Sequence, residues 1–372
     1  MACLRARHPL RLLDLPLLGA VLALAVFGCV AVYSSTGPGL QSLDLDSHLF
    51  LKRQLAYLAV AALVFGVTLA FDYRQLRGLG PVVYLGGVVL LVAVLTPLGR
   101  HVSGAQRWID LGFFRIQPSE LMKVVLVVAL AGLFAERASH PSPGKVALAV
   151  GATVAPGVLV YLQPDLGTVL VLFAITFSIL FIVGARTRFI LVLLAAAVTV
   201  FALAMAFGLV RDYQIARLTA FLDEGRDSQR AGYNLSQSKI AVGSGGIFGK
   251  GLFGGSQTNL DYVPEQHTDF IFTAIAEETG FVGSLILISL FGVVLWRCLR
   301  IAACSKDQFG ARIAAGVAGM LVFQIFINIG MTIGIVPIVG IPLPFVSYGG
   351  SALLAGFAGV GLAMNVHVRR FT

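Results

Sequence analysis

Ten long apolar runs recur along the 372-residue chain, near residues 15–34, 55–71, 79–98, 118–135, 146–162, 168–184, 189–210, 268–296, 311–336 and 345–366. Runs of this kind suit a hydrocarbon layer roughly 30 Å thick. In lipid an unpaired backbone N–H or C=O has no water to turn to, so open sheets are excluded and the runs are expected as helices. The expected fold class is all-α: a polytopic membrane protein of about ten transmembrane helices, with residues 1–372 forming one integral-membrane domain. Composition agrees, since 58% of residues are apolar and 12% are charged, about half the roughly 25% charged share of soluble domains.

Lysine and arginine set the expected orientation. With the N-terminus in the cytoplasm, fifteen of them fall on the inner side, including Arg5, Arg7, Arg11, Arg137, Arg297, Arg300, Arg369 and Arg370. Five fall in the short outer loops: Lys52, Arg53, Arg100, Arg107 and Arg115. Positive charge concentrates on the cytoplasmic side of membrane proteins, so both termini are expected inside and residues 211–267 outside. The net charge of +9 then reflects topology and attraction to anionic lipid, not a nucleic-acid footprint. The first run is expected as an uncleaved helix, because bulky Phe27 and the lack of an A-x-A site argue against a signal peptide. Cys3, Cys29, Cys298 and Cys304 lie at inner or membrane positions and imply neither a disulfide framework nor metal spacing.

Two outer segments break the pattern of short connections. Residues 99–117 read as a polar, aromatic link. Residues 211–267 form a 57-residue loop with apolar anchors such as Tyr213, Phe221, Tyr233 and Phe253, expected as amphipathic or re-entrant helices on the outer face. Within it, Gly243–Lys250 resembles a phosphate-binding loop but has Ser244 at the first glycine and Gly251 where the metal-binding hydroxyl belongs. Ser236-Gln237-Ser238-Lys239 matches S-x-x-K without a K-T-G partner. Neither carries the chemistry of its motif, and no nucleotide is expected.

Ionisable groups beside lipid cost roughly 2.5–3.5 kcal/mol each on insertion scales, so they mark candidate sites. The densest cluster is Pro264-Glu265-Gln266-His267-Thr268-Asp269, immediately before an apolar run. Asp269 is the candidate general base; its blander reading is a carboxylate that complements a helix dipole. Glu120 and Lys123 are three apart on one helix face and able to pair, with Asp165 expected in the same leaflet. A packing ion pair and a polar cavity are about equally compatible with them. Glu277 and Glu278 follow Asp269 by about 12–14 Å of helix. Arg53, Arg107, Arg217 and Lys239 are outer cations suited to an anionic, lipid-linked substrate, with Trp108 beside Arg107 at the interface.

Several long motifs, taken together, resemble one family. They are Gly104–Ile109, Gln117-Pro118-Ser119-Glu120, Gln163–Thr168, Gln237–Gly246, Pro264–Phe272, Ala276-Glu277-Glu278 and Gly340–Ser351. The chain resembles the SEDS family over nearly its whole length. Lys239, Asn328–Met331 and Gly340-Ile341-Pro342 are closer to its elongation (rod-shape) branch than to its division branch. The resemblance implies a ten-helix bundle with peptidoglycan glycosyltransferase activity on lipid II at the outer face of the bacterial cytoplasmic (inner) membrane. It implies an essential aspartate at Asp269 and a polar intramembrane network of Glu120, Lys123 and Asp165. The implied partners are a class B penicillin-binding protein (a transpeptidase) and other elongation-complex proteins.

The expected chemistry is inverting transfer. Asp269 would take the proton of an acceptor sugar hydroxyl. Arg53, Arg107, Arg217 and Lys239 would neutralise the departing pyrophosphate, with Mg2+ or Mn2+ as the candidate ion and Trp108 against sugar or lipid. The competing expectation is a flippase of lipid-linked precursors, which needs no base but needs polar residues on both halves of its pathway.

Overall fold

The computed structural model describes residues 13–42, 44–102, 105–110, 112, 114–136, 140–208, 212–222, 231–259 and 265–371. Cys3, Arg5, Arg7, Arg11, Gly104, Arg137 and Pro264 lie outside the described residues. The helices in chain order are α1 (Leu15–Ser42), α2 (Leu49–Ala70), α3 (Leu76–Leu95), α4 (Pro118–Leu133), α5 (Pro143–Leu162), α6 (Leu166–Ile182) and α7 (Thr187–Ala206). They continue with α8 (Asp212–Leu222), α9 (Ala231–Ser244), α10 (Ser256–Asn259), α11 (Ile271–Ala303), α12 (Gln308–Thr332) and α13 (Gly350–Arg369).

The ten apolar runs overlap α1 to α7 and α11 to α13, and the chain is a multi-pass membrane protein. Seven of the helices, α1, α2, α3, α5, α11, α12 and α13, are long and apolar enough to cross a membrane. The helices α4 and α6 have 16 and 17 residues. Proline or a capping side chain starts several of them, as expected of first-turn positions. Pro118 opens α4, Ser142 Oγ accepts from Lys145 N ahead of α5, and Asp165 accepts from Thr168 N ahead of α6. The packed centre is α4, α12 and α13, whereas α2, α3, α5 and α7 present exposed side chains such as Leu63, Val82, Val158 and Val198. An apolar face that no protein covers is the face lipid covers.

The link between α3 and α4 is folded rather than irregular. It forms a three-stranded antiparallel sheet of β1 (Gly99–Val102), β2 (Ala105–Asp110) and β3 (Arg115–Ile116). Arg100 pairs with Trp108, with a register shift after Arg100. Successive side chains of a strand leave on opposite faces, so Arg107 and Trp108 point apart. An all-helical expectation missed this sheet, because a strand of six residues in a polar segment leaves little periodicity to read.

The long segment between α7 and α11 contains α8, α9 and α10, and its glycine-rich turn has a structural use. Helix α11 is broken at Gly280, whose φ of 66° and ψ of −161° lie in a region essentially reserved for glycine. The break frees backbone groups, and residues 246–251 supply their partners. Lys250 N and Gly251 N donate to Glu277 O and Glu278 O at 3.0 Å, while Phe281 N and Val282 N donate to Gly246 O and Ile247 O at 2.9 and 3.1 Å. Backbone thus meets backbone: a β-carbon on Gly249 would stand 2.0 Å from Glu278 O. Non-helical backbone near a membrane survives only when protein satisfies it. That requirement accounts for the glycines that imitate a nucleotide loop.

Candidate active site

The site is built on the six residues ahead of α11. Glu265, at φ 55°, turns the chain so that its carbonyl accepts from Thr268 N and Asp269 N, both at 3.2 Å. The carbonyls that follow are tied to the segment between α12 and α13. Tyr348 N donates to His267 O at 2.8 Å, and Ser347 Oγ donates to Thr268 O at 2.6 Å. Asn328, buried on α12, donates through Nδ2 to Asp269 O at 2.8 Å and Ile341 O at 2.7 Å. The backbone of Asp269 is therefore held from two sides, and its carboxylate is the group left to act.

Arg217 on α8 is brought to that carboxylate. A β-carbon on Gly340 (φ 78°) would lie 3.1 Å from Asp269 Oδ2 and 3.8 Å from Arg217 Nη1, so glycine leaves the space in which the two charges approach. Arg217 Nη1 also donates to Val339 O at 3.4 Å, and its guanidinium lies 5.6 Å from the ring centre of Tyr213. Tyr213 in turn donates to Pro164 O at 3.2 Å. Asp269 is partly open at the rim but densely enclosed on its protein side. That burial raises its pKa to about 6, against the pull of Arg217 and Arg107 and with the push of Glu265 and Asp165. A carboxyl near that value is mostly ionised at neutral pH yet more basic than an ordinary aspartate, the condition general-base chemistry favours.

The other expected residues divide. Arg107 sits near Asp269 but is engaged, donating through Nε to Gln163 O at 2.8 Å and through Nη2 to Pro164 O. It braces the turn that carries Asp165. Asp165 caps α6 and accepts from Gln117 Nε2 at 3.0 Å, Ser119 Oγ at 3.3 Å and Thr168 Oγ1 at 3.0 Å. Glu120 and Lys123 pair with each other at 2.6 Å, both buried, beneath Pro342 and Pro344. Arg53 is exposed on α2 beside Tyr348, whose ring lies 5.1 Å from Phe50, 5.8 Å from Tyr57 and 5.5 Å from His267. Lys239, on α9, lies over Gly334 beyond the end of α12. Trp108 is half-buried on the face of β2 opposite Arg107.

Glu277 and Glu278 are both buried, and both are occupied. Glu277 accepts from Lys250 Nζ, Gln257 N, Thr258 N and Thr258 Oγ1 at 2.7–3.0 Å, fastening α10 to α11. Glu278 accepts from Ser34 Oγ of α1. The sequence names Tyr213 only as an apolar anchor and Asn328 and Ser347 only within motifs, and gives none of the three a role at the site. A lone asparagine within an apolar helix was the further signal for Asn328.

Comparison with known proteins agrees with this architecture. The family model described as "Cell cycle protein", that of FtsW, RodA and SpoVE, matches residues 15–371. The peptidoglycan glycosyltransferase MrdB of Escherichia coli (strain K12) is 39% identical over 361 residues, 96% of this chain and 94% of MrdB. A solved chain from a peptidoglycan synthase complex that coordinates polymerization and crosslinking superposes with a TM-score of 0.81 at 31% identity, covering 97% of this chain and 99% of that one. Crystalline RodA of Thermus thermophilus superposes with a TM-score of 0.72 at 31% identity, covering 97% and 98%. With its helical bundle and nearly its full length matched, the chain belongs to the FtsW, RodA and SpoVE family.

Proposed function

We propose that this protein is a peptidoglycan glycosyltransferase that polymerises lipid II at the outer face of the cytoplasmic membrane during cell elongation, with both termini in the cytoplasm. The observation that carries the reading is the convergence of the Asp269 carboxylate and the Arg217 guanidinium at Gly340. Polymerisation needs a base for the attacking hydroxyl and a cation for the departing pyrophosphate, side by side at one membrane surface. Asp269 takes the proton from the 4-hydroxyl of the acceptor's GlcNAc as that oxygen attacks C1 of the donor MurNAc. The C1–O bond to the polyprenyl pyrophosphate breaks with inversion. Arg217 stabilises the charge on the leaving oxygen, and Arg107 fixes the neighbouring turn.

The described residues offer no ready-made cage for a resident Mg2+ or Mn2+. Among the described residues no three His, Cys, Asp or Glu side chains converge, and the cations around Asp269 are arginines. No step is therefore assigned to a metal. A class B penicillin-binding protein is the proposed partner, supported by the likeness to a chain of a synthase complex that couples polymerization to crosslinking. The test is purified protein with labelled lipid II in vesicles, scored for glycan strands. Wild-type chain is expected to make strands with the partner present, and Asp269→Asn is expected to make none. Wild-type rates from Asp269→Asn would remove the base assignment.

A further inference from the structure

The end of the bundle away from Asp269 carries a second polar cluster that the proposed reaction does not use. Asp14, buried just ahead of α1, receives Arg297 Nε at 2.9 Å from both carboxylate oxygens, and Arg297 Nη2 as well. His367 Nδ1 lies 3.8 Å from Asp14 Oδ2, is buried, and makes no hydrogen bond among the described residues. Arg300 and Arg370 also lie within electrostatic reach of His367. Three arginines thus surround His367, and only Arg297 is paired with the Asp14 carboxylate. Among the described residues neither Arg300 nor Arg370 has a carboxylate within ion-pair distance, and Arg370 Nε is buried without a partner.

Trp296 fixes the depth of this cluster. Its indole is 56% exposed, with Arg297 5.2 Å and Arg300 5.5 Å from the ring centre. From the Gly280 break, α11 rises roughly 24 Å to Trp296 near its far end. An exposed indole flanked by arginines at a helix end suits the headgroup level, where tryptophan settles. We propose that Trp296, Arg300 and Arg370 bind the phosphodiester headgroup of an anionic phospholipid. The Asp14–Arg297 pair forms the floor, and the surplus positive charge takes the phosphate. A zwitterionic headgroup brings its own ammonium and gains less. Inorganic phosphate shares the anionic chemistry, but an indole lying at the lipid boundary selects a ligand with acyl chains.

The test uses the full chain carrying Trp108→Phe, which leaves Trp296 as its single indole. It is reconstituted in phosphatidylcholine vesicles containing either dibrominated phosphatidylglycerol or dibrominated phosphatidylcholine, since bromine quenches an indole only near contact. Phosphatidylglycerol is expected to associate more tightly by about fivefold or more, the size expected for each arginine near a charged lipid. Arg300→Gln/Arg370→Gln is expected to bring the two lipids to within about twofold of each other, and Arg300→Lys/Arg370→Lys to preserve the preference. Unchanged emission maxima in both pairs report an intact fold. Equal quenching by the two lipids in the parent, or a preference that survives the glutamine pair, overturns the proposal. Competition by millimolar inorganic phosphate at constant ionic strength overturns the lipid reading in favour of a free anion.

Discussion

Replacing Arg217 with glutamine tests the electrostatics of the site directly. Arg217 Nη1 and Asp269 Oδ2 lie 3.8 and 3.1 Å from the same point, so they are no more than about 7 Å apart. At an effective dielectric near 20, opposite charges at that separation attract by roughly 2 kcal/mol. Removing the guanidinium therefore favours the neutral acid, and about 1.4 kcal/mol corresponds to one pH unit. Asp269 starts near 6. The low-pH midpoint of kcat/KM is thus expected to rise from about 6 to between 7 and 8 in Arg217→Gln. Arg217→Lys keeps the charge and is expected to hold the midpoint near its starting value. The assay is polymerisation of dansyl-labelled lipid II in vesicles across the pH range, with the high-pH plateau reported separately. A lower plateau measures lost support for the leaving group; the midpoint measures the base. A midpoint that stays put or falls in Arg217→Gln would refute the coupling and with it Asp269 as the titrating group.

Asp269→Asn is expected to raise stability while abolishing activity. A carboxyl whose folded pKa is raised costs stability where it is ionised. The cost, at most about 3 kcal/mol, is full above pH 6 and fades as pH falls toward 4; thermal melts at pH 7.5 and pH 4.5 check this, and equal gains at both would contradict it. Lys123→Met alone strands the buried Glu120 carboxylate and is expected to cost about 3–5 kcal/mol, most of it recovered in Glu120→Leu/Lys123→Met. Recovery of stability without recovery of polymerisation would show that the pair serves more than packing. Gly280→Ala places a methyl 2.3 Å from Gly249 N in a backbone region that costs about 1–3 kcal/mol by itself. It is expected to lower the melting temperature and expose residues 245–258 to protease, and an unchanged cleavage pattern would count against the docked loop.

The membrane character was legible because lipid imposes one rule on every backbone group, and the ten apolar runs obey it. The site was legible where a charge stood against that background, as at Asp269, Arg217 and the Glu120–Lys123 pair. It was not legible where a residue acts through its backbone or by lacking a side chain. Gly340 matters because nothing projects from it, and the 246–251 turn matters because its amides reach a helix break far along the chain. Glu277 and Glu278 show the limit of spacing: their distance along the helix from Asp269 was readable, but their partners were not, and each is held as an acceptor. Spacing along a helix gives the face of a residue, but the partners of Glu277 come from a loop whose path spacing does not encode.

The break at Gly280 explains why the catalytic candidate sits at the tip of so short a helical piece. A single helix running unbroken from Ile271 would fix Asp269 by the tilt of the whole span, and any lipid-driven shift at Trp296 would move the carboxylate. Severing the helix separates the two demands. The outer piece of about nine residues is too short to be stable by itself, so its position is set by what grips it: Glu277 through α10, Asn328 and Ser347 at its start, and the 246–251 backbone at its end. All three grips are made by protein rather than lipid. Arg217 can then lie near Asp269 without forming a closed ion pair, because the rigidity comes from the backbone ties. A carboxylate held this way stays near 6 and open to a substrate hydroxyl, where one neutralised by a tight arginine contact would be a weaker base.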